Sequence, residues 1–192
     1  MTDTVIDFER PLRADARRNR ERILKAARAV FAEHGADAQI DDVARQARVG
    51  VGTVYRHFPT KEALLVELLR EKFRLFSARA REALEHDGEP FDAFEELLRR
   101  NAQTAASDAA VQHALAGAGE HIWMQAQAEQ RDLIAVTQEL IARARRAGTI
   151  RPDVDATDVA MLMCGVCSTM GDKPGFDWRR HLDLVIDMLR AR

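Results

Sequence analysis

The stretch from residue 44 to residue 64, ARQARVGVGTVYRHFPTKEAL, constrains the fold more than any other part of the chain. Ala44, Ala47, Val49, Val54 and Phe58 set small and apolar side chains at helical spacing on both sides of a break at Arg48 to Gly50. That is the pattern of two short helices crossing closely at a tight turn. The other positions are left facing outward. Gly52 lets a partner approach the backbone, while Thr53, Tyr55, Arg56, His57 and Lys61 gather hydroxyls, an imidazole and cations at one end. Such groups suit phosphates and base edges, so the segment reads as a DNA-docking element. The plainer reading of the same residues is a two-helix corner with an amphipathic surface.

Charge supplies independent context. Between Arg10 and Lys61, twelve Lys and Arg face six Asp and Glu, a net charge of +6, whereas the rest of the chain carries −8 and the total is only −2. A basic head on an acidic body is the electrostatic footprint of a nucleic-acid binder, and a near-neutral total conceals it.

The segment resembles the helix-turn-helix of the TetR family of transcriptional repressors, whose pattern runs roughly A-x-x-A-G-V-S-x-G-T-x-Y-x-H-F-x-x-K-x-x-L. Ala44, Ala47, Val49, Gly52, Thr53, Tyr55, His57, Phe58, Lys61 and Leu64 match in register. Arg48 stands where the family usually has Gly, and Gly50 where it usually has Ser. An Arg in a left-handed turn is strained, so either the turn differs slightly or a phosphate holds Arg48. Gly50 gives up a side-chain cap at a cost of a few tenths of a kcal/mol.

The resemblance implies an operator-binding homodimer on double-stranded DNA, responding to a small-molecule effector of unknown identity. Thr53, Tyr55, His57 and Lys61 then hold phosphates, assisted by Arg48, Gln39 and the cluster that includes Arg17 and Arg18. Val51, Gly52, Tyr55 and Arg56 meet base edges, Arg56 being the guanidinium best suited to a guanine.

A chain of 192 residues with 46% hydrophobic content can bury a proper core. Only two cysteines occur, no apolar run approaches membrane-spanning length, and the start MTDTVIDFER lacks a signal-peptide core. A cytoplasmic protein is expected, with no membrane partner and no cofactor. Strand-type alternation is missing and helical spacing recurs throughout, which predicts an all-α fold of about nine helices.

Residues 1–13 read as a flexible arm, 14–60 as a three-helix DNA-binding domain, and 61–192 as a helical effector-binding and dimerisation domain. Ile23, Ala27, Val30 and Phe31 mark the first helix, closed by Gly35. A second helix over 41–47 and a third over 51–58 follow. Thr60 caps a long fourth helix reaching about Glu85, and further helices are predicted over 90–106, 108–117, 119–147, 155–170 and 177–190. The segment RAGTIRPDV before Asp155 resembles the turn ahead of the last two helices in SbtR-like members of the family. Physically, Gly148 stops one helix, Pro152 prevents its resumption and Asp155 caps the next.

Val159, Met163, Val166 and Met170 form one apolar stripe near the C-terminus, and Trp178, Leu182, Val185 and Leu189 form another. Either stripe can serve as intrachain core, and the family resemblance favours a dimer interface. Candidates for the effector pocket are Phe73, Phe76, Phe94, His121, Trp123, Met124, Gln127, Met161 and Cys164, with His113 nearby, although aromatic and Met positions at helical spacing also suit plain core. Cys164 and Cys167 lie three residues apart on one helix face. A redox- or metal-responsive regulator with the same DNA head is therefore the alternative function, although no histidine spacing marks a metal site. No nucleophile with a neighbouring base and no phosphate-cradling loop is evident, so no catalytic residues and no enzymatic activity are expected.

Overall fold

Local capping signals divide the chain into α-helices. The computed structural model describes residues 9–117, 119–170 and 175–191. Among them lie α1 (Glu9–His34), α2 (Ile40–Ala47), α3 (Val51–His57), α4 (Lys61–Glu85), α5 (Pro90–Ser107), α6 (Ala109–Gly117), α7 (Glu120–Gln125), α8 (Gln127–Arg146), α9 (Ala156–Ser168) and α10 (Trp178–Leu189). The all-α expectation holds. The Thr60 hydroxyl accepts from the Ala63 amide at 3.1 Å and starts α4. Asp155 accepts from the Thr157 and Asp158 amides while Asp158 accepts from the Asp155 amide, a reciprocal capping box that opens α9.

Two boundaries differ from expectation. The first helix starts at Glu9 rather than near Ala14, because a proline such as Pro11 in the first turn forfeits only an amide that has no helical partner. Residues 1–8 of the expected arm lie outside the described residues. The helix expected over 119–147 is two helices, broken at Ala126, where the backbone reaches φ −98° and ψ 11°. No Gly or Pro marks that break. Instead Arg70 of α4 donates to the Gln125 carbonyl at 2.7 Å, replacing a helical partner.

The helices share two apolar cores. The first joins Ile23, Leu24, Ala27 and Phe31 of α1 with Val43, Ala44, Val54 and Phe58, and continues through Leu64 to Phe73 of α4 into Leu115 of α6 and Ile122 of α7. The second joins Ala80 of α4 with α5, α8, α9 and α10. Residue 60, the expected domain boundary, therefore falls within a continuous core. At the far end an antiparallel bridge pairs Ile150 with Arg190, and Arg151 donates to the Leu189 carbonyl at 3.0 Å, tying the turn before α9 to the end of α10.

The two C-terminal stripes are a correction. Val159, Val166, Met170, Leu182, Val185 and Leu189 are buried in the chain's own second core, and Met163 and Trp178 pack against it. The outward faces of α9 and α10 instead carry Met161, Leu184 and Met188, at 65%, 51% and 42% exposure. A helix pair that must cover both α5 and α8 turns its strongest stripe inward.

Arg48 resolves the question of its turn. It adopts φ 54° and ψ 48°, the one left-handed non-glycine residue among those described. Its amide donates to the Arg45 carbonyl at 3.2 Å, and the Val49 amide to the Ala44 carbonyl at 3.1 Å. Gly148 makes the same pair of bonds after α8, with Gly148 donating to Arg145 and Thr149 to Ala144, both at 3.0 Å. Both are Schellman closures, and only the first places a side chain where glycine is favoured. Arg48→Gly should relieve about 1–2 kcal/mol of strain and add back about 0.5–1 kcal/mol of unfolded-chain freedom. The expected outcome is a Tm rise of about 1–4 °C in thermal unfolding; an unchanged or lower Tm would show that the Arg48 side chain offsets its own backbone.

Candidate nucleic-acid interface

The α2–α3 pair sits on α1 because its inward positions are small or apolar. Ala44, Ala47 and Val54 are buried, and Phe58 closes the corner beneath the Arg20 guanidinium, 5.0 Å from its ring centroid. With Val54 turned in, α3 presents Val51 at 39% exposure and Tyr55 at 47%. Gly52 has no neighbour within 4 Å of where a Cβ would stand, so the face there is open. Arg56 lies along the helix, its Nε donating to the Gly52 carbonyl and its terminal nitrogen to the Thr53 hydroxyl, both at 3.1 Å. His57 is half-buried, its ring 6.3 Å from that of Phe58. The Lys61 ammonium lies 5.7 Å from the Phe31 ring centroid at the start of α4.

The other expected contacts are more dispersed. Gln39 stands at the N-cap position of α2 without capping it, its amide donating instead to the Asp37 carbonyl at 2.8 Å. Arg48 is exposed at the turn. Arg18 pairs with Asp15, and Arg17 stands 3.9 Å from Glu21 and lines a cleft between α1 and α4. Arg22 is a residue that motif reading misses: it donates to the Ala47 carbonyl at 2.7 Å and holds the end of α2. Nothing local to Arg22 signals this, since the contact spans 25 residues.

That cleft contains a charge knot. Glu67 of α4 is only 7% exposed and receives Arg20 of α1 at 2.9 Å and Arg74 of α4 at 3.0 Å, with Arg70 at 3.8 Å. Arg74 reaches onward to Glu129 of α8 at 2.9 Å. Burial pushes the Glu129 carboxyl up, but its backbone hydrogen bond, Arg74 and Arg70 outweigh this and hold it below the ordinary carboxylate range.

Beyond the knot, α4, α5, α7, α8 and α9 line a mostly apolar cavity of about 510 Å³, a size suited to a small organic molecule. Four of the pocket candidates line it: Phe73, Phe76, Trp123 and Cys164. The remaining candidates are corrected. Phe94 is fully buried core beside Phe91, whereas His121, Met124, Gln127 and Met161 are exposed. The break at Ala126 changes the helical phase, so α8 offers Gln130, Leu133, Ile134 and Thr137 to the cavity instead. Nothing is described of the His113 side chain. Lys72, Asn101 and Cys167 also line the wall. Cys164 and Cys167 are free thiols, and burial raises the Cys167 thiol while Lys72 pulls it down. Among the described residues no group of three or more His, Cys, Asp or Glu is placed to hold a metal ion.

Comparison with known proteins matches residues 23–68 to bacterial regulatory proteins of the tetR family, and residues 89–191 to the C-terminal domain of SbtR-like transcriptional regulators. The HTH-type transcriptional repressor KstR of Mycolicibacterium smegmatis is 39% identical over 93 residues, 47% of this chain and 46% of that protein. The HTH-type transcriptional regulator UidR of Escherichia coli is 35% identical over 75 residues, 38% of each. This chain thus aligns with less than half the length of these curated relatives. Solved structures match more fully. A TetR transcription regulatory protein from Mycobacterium vanbaalenii is 38% identical with a TM-score of 0.69, covering 94% of this chain and all of that one. A TetR transcriptional regulator from Streptomyces coelicolor is 32% identical with a TM-score of 0.64, over 90% and 98% of the two chains.

Glu67→Gln keeps the shape of the knot and removes its charge. Breaking a buried pair costs about 3–5 kcal/mol, but the three arginines are 35–53% exposed, which reduces the loss to about 1–2 kcal/mol. Thermal unfolding should show a Tm about 2–8 °C lower; an unchanged Tm would make the knot irrelevant to stability.

Proposed function

Because this chain belongs to the tetR family of bacterial regulatory proteins, with an SbtR-like C-terminal domain, we propose that it is a homodimeric transcriptional repressor released from a palindromic operator by a small-molecule effector. One observation carries the reading: a single helix, α4, begins beside the α3 face at Lys61, holds the knot at Glu67, and supplies Phe73 and Phe76 to the cavity wall. A ligand in the cavity and DNA on the head therefore act on the same rigid element.

Residues 14–60 form the DNA-reading unit and 61–192 the sensing and dimerising unit, even though they share a core. Thr53, Tyr55, His57 and Lys61 hold phosphates and set register, with Arg17, Arg18, Gln39 and Arg48 assisting, while Val51, Gly52, Tyr55 and Arg56 face bases. Arg56 must leave the Gly52 carbonyl and Thr53 hydroxyl to reach a guanine. The bidentate pair gained is worth about 1–3 kcal/mol of discrimination. Dimerisation uses the exposed Met161, Leu184 and Met188 faces of α9 and α10, and sets two α3 helices in successive major grooves about 34 Å apart. No helix among the described residues is long and apolar enough to cross a membrane.

Selection of bound fragments from random duplex DNA tests the reading, since recovery of no consensus, or of one without two-fold symmetry, would reject it. On the selected site, Arg56→Ala should relax base preference, whereas Lys61→Ala should weaken all sequences together and lower the salt slope by about one unit. Equal losses on every sequence for Arg56→Ala would remove its readout role. Leu184→Glu should give a folded monomer with poor operator affinity in analytical ultracentrifugation, because a charge buried between two copies has no partner. An intact dimer would move the interface off these faces.

A further inference from the structure

The cysteine pair of α9 is a motif that DNA binding leaves unused. Cys164 and Cys167 are the chain's only cysteines, both are free thiols, and both line the cavity. Three residues apart on one helix, their Cβ atoms stand about 5–6 Å from each other. Cys164 is exposed and so reachable from solvent, while Cys167 is half-buried. The same cavity carries Phe73, Phe76 and Trp123 on its wall. We infer that the cavity binds a monosubstituted trivalent arsenical, an organic body carrying one As(III) centre, through a two-sulfur chelate on Cys164 and Cys167 with the organic group on the aromatic wall.

Valence and polarity both match. Thiol sulfurs favour soft centres, and an As(III) atom with one carbon substituent has two positions left for the two sulfurs of the pair. The bond change is a condensation. Two S–H and two As–OH groups become two As–S bonds, and each hydroxyl leaves as water with a thiol proton. Arsenic stays trivalent, so neither an oxidant nor a reductant takes part. The product is neutral, which suits this place. Burial raises the Cys167 thiol, Lys72 pulls against it, and the neighbouring Cys164 adds to the rise. A thiolate left standing there is disfavoured, whereas a neutral As–S bond carries no such cost. The helix holds both sulfurs on one face before the ligand arrives, so the second As–S bond closes within one complex at a high effective concentration. The organic group then buries apolar area against the aromatic wall. A methyl substituent has the right valence but too small a body to reach that gain.

This inference rests on the reading of the cavity as an effector site, and the test separates the two. The full chain, reduced with a phosphine and then freed of it, would be titrated with phenylarsine oxide. Wild type should gain one phenylarsenic group with release of one water, seen as intact mass under non-denaturing conditions, and should lose both titratable thiols. Cys164→Ser and Cys167→Ser, with helicity checked by circular dichroism, should each bind about tenfold or more weakly, because a single As–S bond forgoes the chelate. Methylarsine oxide, which offers the same two positions, should bind wild type about tenfold more weakly than the phenyl compound, after correction for the preference of free dithiothreitol. Phe76→Ala, which keeps both thiols, should narrow that preference. No uptake by wild type, uptake as tight in either serine variant as in wild type, or no corrected preference for the phenyl compound would overturn the proposal. If Cys167→Ser fails to fold, the exposed position Cys164→Ser decides. Operator affinity is then compared with and without one equivalent of phenylarsine oxide. An adduct that leaves operator affinity unchanged keeps the dithiol site and removes the effector reading.

Discussion

The buried carboxylate of Glu67 is the interaction on which the relation between head and body depends. A carboxylate taken out of water is costly unless matched, and here Arg20 comes from α1 while Arg70 and Arg74 come from α4 itself. Arg74 shares its guanidinium with Glu129 on α8, and Arg28 of α1 adds a bond to Glu71 at 2.6 Å. Three helices are thereby held by groups whose attraction falls off with distance and direction, unlike the apolar contacts on either side. Apolar packing tolerates a small slide more readily than charge-assisted contacts at 2.9 and 3.0 Å do. The knot therefore fixes the angle at which α1, and with it the α2–α3 corner, leaves the body.

Legibility in the sequence follows the range of the interaction. Thr60, Gly148 and Asp155 were readable as helix ends because each makes its cap within a few residues. The strain at Arg48 was readable through the family resemblance, which puts Gly at this turn and left open that the turn differs; the left-handed backbone is kept. The break at Ala126 was not readable, because the group that takes up the freed Gln125 carbonyl, Arg70, lies 55 residues away. That miss propagated: with the phase of α7 and α8 shifted, Met124 and Gln127 turned out to be exposed, and Gln130 and Thr137 took the wall. The C-terminal stripes failed for a different reason. Periodicity identifies the apolar face of a helix but not which neighbour covers it, and in α9 and α10 that neighbour is the same chain.

The division at residue 60 proposed above is not a mechanical one. Val54, Phe58 and Leu64 share one core with Leu115 of α6 and Ile122 of α7, so the head cannot swing as an independent body without exposing apolar surface at roughly 25 cal/mol per Å². Under the proposed mechanism a response is then a small rigid displacement of packed helices, carried by α4. Its 25 residues extend about 37 Å at 1.5 Å per residue, long enough to have one end at the α3 face and the middle against the cavity.

A ligand on α4 changes DNA affinity only by the amount it prefers one placement of that helix over another. Moving an ensemble from 1:99 to 99:1 takes a differential of about 5.5 kcal/mol, more than one charge-assisted contact at about 1.5–3 kcal/mol supplies. Under the proposed mechanism, full release therefore requires several contacts to differ together, with a ligand fitting the Phe73 to Trp123 wall in one placement and clashing with it in the other. The centroids of those two rings lie 6.3 Å apart, an aromatic pair in contact, and one belongs to α4 while the other belongs to α7, so a ligand that parts or shifts the pair bears directly on the helix. Linkage makes the effect reciprocal: operator DNA, by holding α4 in its DNA-compatible placement, must weaken the ligand by the same factor that the ligand weakens DNA. A ligand that binds equally well with and without operator would fill the cavity and regulate nothing.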